Sequence, residues 1–548
     1  MVRRLVFALA PLLAAGCTTA EPTSPPASRG LDATRFFVRA SLDLRGVRPT
    51  EAELAEVDAK PERALELAAG FVNDPRFPGR VRDWFAQAFR TRVDRFALSA
   101  QEVGLSPDDD VALQASIAEE PLMLIAHVAE QDLPFTTVVT ANYTFANELL
   151  GRAFPVDYPA GATGWQKARY NDGRPAAGVL SMNSLYWRFP SNGVNYSRGR
   201  AGAIARALLC ENFLDRPVDF PRDIDLSNED AIIHAVRTNQ ACVNCHASLD
   251  PLASHLFGFQ NATDSVYEKR SYHEEREQRW RSATGVGPAY FGQPSATLIT
   301  LGQRIAADGR FVSCAVRRVY EGLLGRDAEP DDDGALTEHR ESFLKGGLTL
   351  RALVRSVLKD PAYAGLTVAS RMGGTAKGVT RKLLRPEVLG SQMDDLTGYR
   401  MLGRGGRDLL LVAGDGLRAL GGGADGTTGE APRIGPNVPL LLVQERLAEA
   451  AAAALVFHGG ARPGKVGAVL DGADLDRRPD DPGFDTAARS LVVALHRTIF
   501  STKVAKEGEE TAAALALFAD IYLAEGDPRA AWAGVLAALL RDPEFITY

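Results

Sequence analysis

The sequence is short of the residues that carry most redox and metal chemistry. Its 548 residues include five cysteines, eight histidines and six methionines. Beyond the N-terminus no stretch offers eighteen uninterrupted apolar residues, the length that a membrane-spanning helix needs, and the richest, Leu447 to Phe457, contains Glu449. Neither sign of charge dominates, since the formal net charge is -7, so binding of nucleic acid is not expected.

An ordinary soluble composition is spread over a long chain. Hydrophobic residues make up 45% and charged residues 24% of the sequence, which is typical of globular proteins. A chain of 548 residues exceeds what one hydrophobic core usually organises. Several domains are therefore expected.

The N-terminus has the pattern of an export signal. Met1 to Arg4 is cationic and Leu5 to Ala15 is apolar, which fits the length of a signal-peptide core and is too short to span a bilayer. The run Leu13-Ala14-Ala15-Gly16-Cys17 resembles the lipobox of bacterial lipoproteins, so Cys17 is the expected lipidation site. Thr18 in place of an aspartate favours the outer membrane, by resemblance to known lipoproteins. The alternative is an ordinary signal peptide that ends near a chance cysteine.

A repeated ending organises the rest of the chain. Apolar residues at helical spacing stop at an Asp-Pro pair followed closely by an aromatic residue, at Asp74-Pro75, Asp360-Pro361 and Asp542-Pro543. The residue before proline is pushed out of the helical region, whereas proline suits the first turn of a following helix. The pattern predicts a mainly α, multi-domain scaffold of repeated short-helix units. The alternative is that Asp-Pro merely ends many helices.

The chemistry-bearing motif is a CxxCH sequence formed by Cys242, Cys245 and His246. This spacing is typical of c-type haem attachment, because one helical turn lets two thiols reach the two vinyl groups of one porphyrin while the adjacent imidazole lies under the iron. Two alternatives remain open. The CxxC could form a disulfide, or it could bind zinc with Cys210 and Cys314 as further ligands.

The remaining cysteines and the sixth iron ligand complete the predicted site. If Cys17 is lipidated and the CxxC is occupied, Cys210 and Cys314 are left as an even pair, which in an exported protein favours a disulfide. The sixth ligand can be a methionine, a histidine or absent, and this choice separates electron transfer from small-molecule chemistry. Met182 is the preferred candidate for the sixth ligand. His255 and His273 are the other candidates near the CxxCH motif in sequence.

Several segments resemble a known family. Cys242 to Phe259, reading CVNCHASLDPLASHLFGF, is similar to the CxxCHxxIDPxGF segment of the planctomycete-cytochrome-type family, which comprises multi-domain exported proteins of largely unknown function. Asn142 to Glu148 resembles its YTFVNE stretch, Ala207 to Cys210 its LLC, and Cys314 to Arg326 its last helical module. The resemblance implies haem binding at the CxxCH motif alone. Ala253 departs from the family's usual glycine, which puts the turn after the motif in doubt.

These observations lead to one functional expectation. The chain is predicted to be an exported outer-membrane lipoprotein with one covalent haem c, working in electron transfer with a redox partner protein and attached to the membrane by its N-terminal lipid. The alternatives are a haem enzyme with an open coordination site and a partner-binding scaffold without haem. No catalytic residues are assigned, since no Ser-His-Asp constellation can be placed from the order of residues alone.

The expected segments follow from these motifs. The linker after Cys17 contains three prolines and no large apolar side chain, so it cannot pack. The predicted boundaries are 1–17 for the signal peptide, 18–30 for the flexible tether, 31–150 for an N-terminal helical domain, 151–310 for the haem-bearing domain with the CxxCH motif, 311–372 for a helical module and 373–548 for a C-terminal helical domain.

Overall fold

The computed structural model describes residues 30–93, 96–193, 195–216, 224–225, 227–369, 375–403, 406–412, 416–424 and 432–548. The predicted signal peptide, Cys17 and all of the tether except Gly30 lie outside the described residues.

The described chain is mainly α, as predicted. Its helices are α1 (Ala33–Arg45), α2 (Glu51–Ala59), α3 (Ala64–Gly70), α4 (Phe77–Phe89), α5 (Asp110–Glu130), α6 (Thr137–Thr140), α7 (Glu148–Ala153), α8 (Asn183–Arg188), α9 (Arg198–Leu209), α10 (Glu229–Thr238), α11 (Gln240–Ala253), α12 (Val266–Lys269), α13 (Trp280–Ala283), α14 (Leu298–Ala306), α15 (Gly309–Leu324), α16 (Asp333–Lys345), α17 (Leu350–Val357), α18 (Pro386–Thr397), α19 (Val438–Val456), α20 (Gly464–Asp471), α21 (Phe484–Phe500), α22 (Glu509–Glu525), α23 (Pro528–Arg541) and α24 (Pro543–Ile546).

Strands are short and occur as three antiparallel pairs among the described residues. The pairs are β1 (Thr144–Ala146) with β2 (Gln166–Ala168), β3 (Ala289–Tyr290) with β4 (Gln293–Pro294), and β5 (Val368–Ala369) with β6 (Thr375–Ala376). In the first pair Phe145 lies opposite Lys167. Pairs this short cannot carry a core of their own, so the helices do so.

The three Asp-Pro endings close three similar helical units. The units are α1 to α3, α15 to α17 and α21 to α23, and their first helices end at Gly46, Gly325 and Ser501 in the left-handed conformation. In each ending the aspartate side chain accepts a hydrogen bond from the backbone N–H two residues later, at 2.9, 2.7 and 2.7 Å. The repeated pairs are Asp74 with Arg76, Asp360 with Ala362, and Asp542 with Glu544. The same local chemistry therefore stops the chain in all three units.

The aromatic residue of each ending anchors its unit in the core. Phe77, Tyr363 and Phe545 are all completely buried. One continuous cluster of buried apolar side chains extends from Phe36 to Ile546 and includes residues of all four predicted folded segments. A smaller cluster packs beside α5. Segments predicted as separate domains thus share their main core.

Helix α5 is the one described helix that is apolar and long enough to cross a membrane. The segment Pro107–Glu130 passes by length and composition, but 67% of its most apolar window is buried inside the protein. Leu113, Ile117 and Leu124 are completely buried. It packs as a central core helix.

The CxxCH motif lies on α11, between the first and second helical units. Helix α11 packs against α9, α10 and β3, and α9 packs against α15 of the second unit. Helix α9 therefore connects the motif to the scaffold.

Candidate haem-attachment site

Local sequence explains why the CxxCH motif forms a helix. Asn239 precedes α11 and its side chain accepts a hydrogen bond from the Ala241 N–H at 3.0 Å, which satisfies one of the unpaired donors at the helix start. Cys242, Cys245 and His246 occupy positions i, i+3 and i+4, which lie on one face of a helix. The geometry expected from the spacing is present.

Both motif cysteines are free thiols, half-buried on this face. The Cys245 Sγ lies 3.7 Å from the Phe213 carbonyl oxygen, and the Arg216 guanidinium donates to the Asn244 carbonyl at 2.7 Å. Between these contacts Leu214 is 90% exposed. The two thiols are thus partly accessible on one face of the helix, which is what covalent attachment of a group to both would require.

His246 is held by a charged pair beneath it. Its Nδ1 lies 2.8 Å from Oδ1 of Asp250, one helical turn later. Arg198, at the start of α9, donates two hydrogen bonds to the same carboxylate, at 2.7 and 2.9 Å. Because an ionised carboxylate only accepts, Nδ1 donates the proton in this contact, and Nε2 is the ring nitrogen that Asp250 does not engage. Histidine ligands of metals are commonly oriented in this way.

The charge of Asp250 follows from its neighbours. Only 3% of the residue is exposed, and burial favours the neutral acid. The hydrogen bonds from His246 and Arg198 and the positive charge of Arg198 outweigh burial and hold the pKa of Asp250 below its usual value. The carboxylate is therefore ionised at neutral pH and available to accept from the imidazole.

Cys210 and Cys314 form a disulfide in the structure. Their Cα atoms are 5.3 Å apart, and the bond joins the C-terminal end of α9 to α15. The zinc alternative needed these two cysteines as ligands, and the pairing leaves neither available. In the part of the chain that the structure describes, no group of three or more His, Cys, Asp or Glu side chains is placed to hold a metal ion. A haem iron needs only one or two protein ligands, so this observation bears on zinc alone.

The candidate sixth ligands occupy packed positions. Met182 is completely buried in the main core. His255 has its ring nitrogens 3.3 Å from the Leu252 carbonyl oxygen and 3.0 Å from the Ser295 hydroxyl. His273 likewise has both ring nitrogens in contact with oxygen acceptors, at 2.8 and 3.2 Å. Packing or hydrogen bonding accounts for all three, and ligation by Met182 stays a prediction.

Sequence reasoning missed two residues of this site. Asp250 carried a usable signal, since it follows His246 by four positions on a helix and so lies on the same face. Arg198 carried none, because it is 52 residues from its partner.

A Ser-His-Asp constellation also exists that residue order did not reveal. The His339 ring lies 2.9 Å from the Ser356 hydroxyl and 2.8 Å from the Asp360 carboxylate. His339 and Asp360 are 5% and 6% exposed, and Asp360 is the aspartate that ends the second helical unit. These contacts tie α16 to the end of α17, which gives the constellation a structural role.

Comparison with known proteins finds one segment that is similar to a family model. Residues 50–156, from the first turn of α2 to just beyond α7, match the family model described as PSD4: Protein of unknown function (DUF1592). That family is found in planctomycete cytochrome-like proteins. No curated protein and no solved structure matches the chain. The matched segment contains Asn142 to Glu148 and does not reach the CxxCH motif.

Proposed function

We propose that the chain carries one covalent haem c at Cys242 and Cys245 with His246 as an axial ligand, and that it transfers electrons to or from a partner protein at the cell envelope. The observation that carries the proposal is the orientation of His246 by Asp250 and Arg198 on the helix that presents both free thiols.

Each residue of the motif has a defined task. When bound, the haem supplies a one-electron redox centre. Cys242 and Cys245 would hold the group through two thioether bonds, each thiol adding its sulphur and its hydrogen to the two carbons of one vinyl group, so that no oxidant would be needed. His246 presents Nε2, and Asp250 holds the Nδ1 proton and raises the basicity of the ring. Arg198 keeps the Asp250 charge compensated.

The cellular setting is part of the proposal. The lipobox-like run at Cys17 supports export and attachment to the outer membrane by a lipid. Attachment of haem takes place on the far side of the inner membrane in bacteria that form c-type cytochromes, so an exported chain would meet the required machinery.

The test is a pyridine haemochrome spectrum with intact mass of the full chain, produced alongside a c-type maturation system. We expect one covalent haem in the wild type and none in the variant Cys242→Ser plus Cys245→Ser. The matched control Cys210→Ser plus Cys314→Ser also removes two cysteines and should retain the haem mass. Wild-type protein without haem would overturn the proposal and leave the scaffold function.

A five-coordinate haem that reacts with small molecules is the second candidate. It is favoured by the packed position of Met182 and by the hydrogen bonds already made by both ring nitrogens of His255 and His273. A reduced spectrum unchanged by carbon monoxide supports electron transfer through six-coordinate iron. A high-spin spectrum that shifts on binding carbon monoxide supports the enzyme.

A further inference from the structure

A cavity of about 560 Å³ lies between the helical scaffold and the C-terminal segment, and no residue of the CxxCH motif lines it. Its walls come from α4, the end of α15 and its following turn, the stretch 377–388, and residues 432–434, with Tyr548 at its floor. The volume falls in the range of small-molecule pockets.

The wall of this cavity is strongly basic. Eight arginine and lysine side chains line it against three carboxylates. Four of the eight are in close ion pairs within the fold: Arg80 with Asp83, Arg318 with Glu321, Arg326 with Asp332, and Lys382 with Asp43. The other four side chains, Lys377, Arg381, Arg385 and Arg433, therefore supply the excess positive charge of the cavity wall.

Two of those four are weakly paired at the rim. Lys377 is 3.6 Å from Glu329, and Arg381 is 3.8 Å from Glu544. The side chains of Lys377 and Arg381 are 67% and 63% exposed, and exposed pairs at these distances contribute little. Both cations can turn toward a ligand at small cost.

The other two, Arg385 and Arg433, have no hydrogen bond or ion pair for their guanidinium groups in the described chain. Arg433 is exposed, but Arg385 is half-buried just before α18 and also lines a small adjoining cavity. A guanidinium carries five donors in a planar fork that matches the oxygens of phosphate, sulfate or carboxylate groups. Leaving those donors unused while partly desolvated is unfavourable, and an anion would satisfy them.

The carboxylate at the floor does not oppose an anion. Asp43 accepts from Lys382, from the Tyr548 hydroxyl at 2.8 Å and from the Tyr363 hydroxyl at 2.8 Å. Its negative charge is therefore compensated inside the fold, and the basic wall above it dominates the field in the cavity.

We propose that this cavity binds a small anion carrying two or more phosphate, sulfate or carboxylate groups, with Arg385 and Arg433 as its main contacts and Lys377 and Arg381 at the rim. The proposal is independent of the haem, whose motif lies elsewhere on α11.

The test is isothermal titration calorimetry of the full chain at low salt. Pyrophosphate, sulfate and citrate represent anions with phosphate, sulfate and carboxylate groups, and acetate serves as the singly charged comparison. We expect saturable one-site binding of at least one multivalent anion, weaker binding of acetate, and a loss on the order of tenfold for each of Arg385→Gln and Arg433→Gln, since each removes charge-assisted hydrogen bonds.

The matched control is Arg489→Gln, which changes an arginine on α21 that pairs with Asp485 far along the chain from this cavity. It should leave anion binding unchanged, and thermal unfolding checks that every variant is folded. Since Arg433 is exposed, its replacement tests binding even if Arg385→Gln is unstable. The proposal is overturned if no multivalent anion saturates the wild type, if Arg433→Gln binds as the wild type does, or if Arg489→Gln weakens binding equally.

Discussion

Two buried aspartates show how the scaffold and the candidate site differ. Asp43 is 2% exposed and accepts from Lys382, Tyr363 and Tyr548, which lie 339, 320 and 505 residues away. Asp250 is 3% exposed and accepts from Arg198 and His246, 52 and 4 residues away. Both carboxylates accept hydrogen bonds from a cationic side chain and from at least one further donor, yet they serve different ends.

The two sites differ in whether a donor to the carboxylate keeps a second polar atom that the carboxylate does not use. The hydroxyl groups of Tyr363 and Tyr548 are used in holding Asp43, and Lys382 also donates to the Leu323 carbonyl oxygen at 2.6 Å. These groups join the first helix, the second unit and the chain end. His246 instead has two ring nitrogens and gives one to Asp250, so the other remains for chemistry. A buried carboxylate builds a site when one of its donors has a second functional atom.

The disulfide joins these two regions, and breaking it should have the largest effect. Cys210→Ala plus Cys314→Ala opens a loop of 104 residues, so the chain-entropy model gives a loss of about 4 to 5 kcal/mol in the free energy of unfolding. Urea denaturation followed by circular dichroism measures it. The variant Cys242→Ala plus Cys245→Ala, without haem, is the control and should change stability little. Equal effects of the two variants would mean that the link is not structural.

The next largest effect is expected from removing the cation that pairs with Asp43. Lys382→Met leaves Asp43 buried without its charged partner, and we expect a loss of about 3 to 5 kcal/mol. The double variant Lys382→Met plus Asp43→Asn should recover much of this loss, because no charge is then left unpaired. Denaturation of the wild type, the double variant and the single variants Lys382→Met and Asp43→Asn gives the coupling free energy. Additive losses would contradict the comparison.

The same lysine gives a pH dependence with a definite sign. Burial lowers the pKa of Lys382 from 10.5 to about 8, although Asp43 opposes the change. Between these values the unfolded chain binds more protons at this group than the folded chain, so its contribution makes stability rise with pH. From pH 8 to pH 10 the wild type should gain stability relative to Lys382→Met. A difference that stays flat would show that Lys382 titrates normally.

A smaller effect is expected at Asp250, which holds His246. If the chain carries the proposed haem, Asp250→Asn should retain it, because both thiols remain, but the substitution removes a charge-assisted hydrogen bond worth about 1.5 to 3 kcal/mol. The less basic imidazole should raise the midpoint potential of the iron. Redox titration measures this shift, with Asp520→Asn on α22 as an exposed control. An unchanged potential would mean that Asp250 serves folding alone.

The smallest effect is expected from replacing the aspartate that ends a helical unit. Asp542→Ala removes the side-chain hydrogen bond to the Glu544 N–H and should cost about 1 kcal/mol. Asp360→Ala should cost more, because it also removes one of the two hydrogen-bond partners of buried His339. Thermal unfolding of the pair tests the order, and a larger loss at Asp542 would reverse our assignment.

The parts predicted from sequence are those set by neighbours along the chain. The Asp-Pro endings and the CxxCH helix depend on contacts within a few residues, so spacing was enough to find them. Arg198 with Asp250, and Lys382 with Asp43, meet only after distant helices pack, and no local pattern marks them. Arg385 looks like any surface arginine in sequence, and only the packed structure shows that its guanidinium lies at a basic cavity without a partner.

The disulfide at the end of α9 bears on which cysteines pair while the protein folds. Four cysteines remain after Cys17, and they can pair in three ways. Folding brings Cys210 to Cys314, which is 2% exposed, and leaves Cys242 and Cys245 half-buried and unpaired. In an oxidising compartment the fold itself would thus sort the thiols, since Cys314 is shielded from exchange within its bond to Cys210 while Cys242 and Cys245 stay open to modification. Oxidation of the scaffold before cofactor loading would then protect the CxxC from the wrong partner.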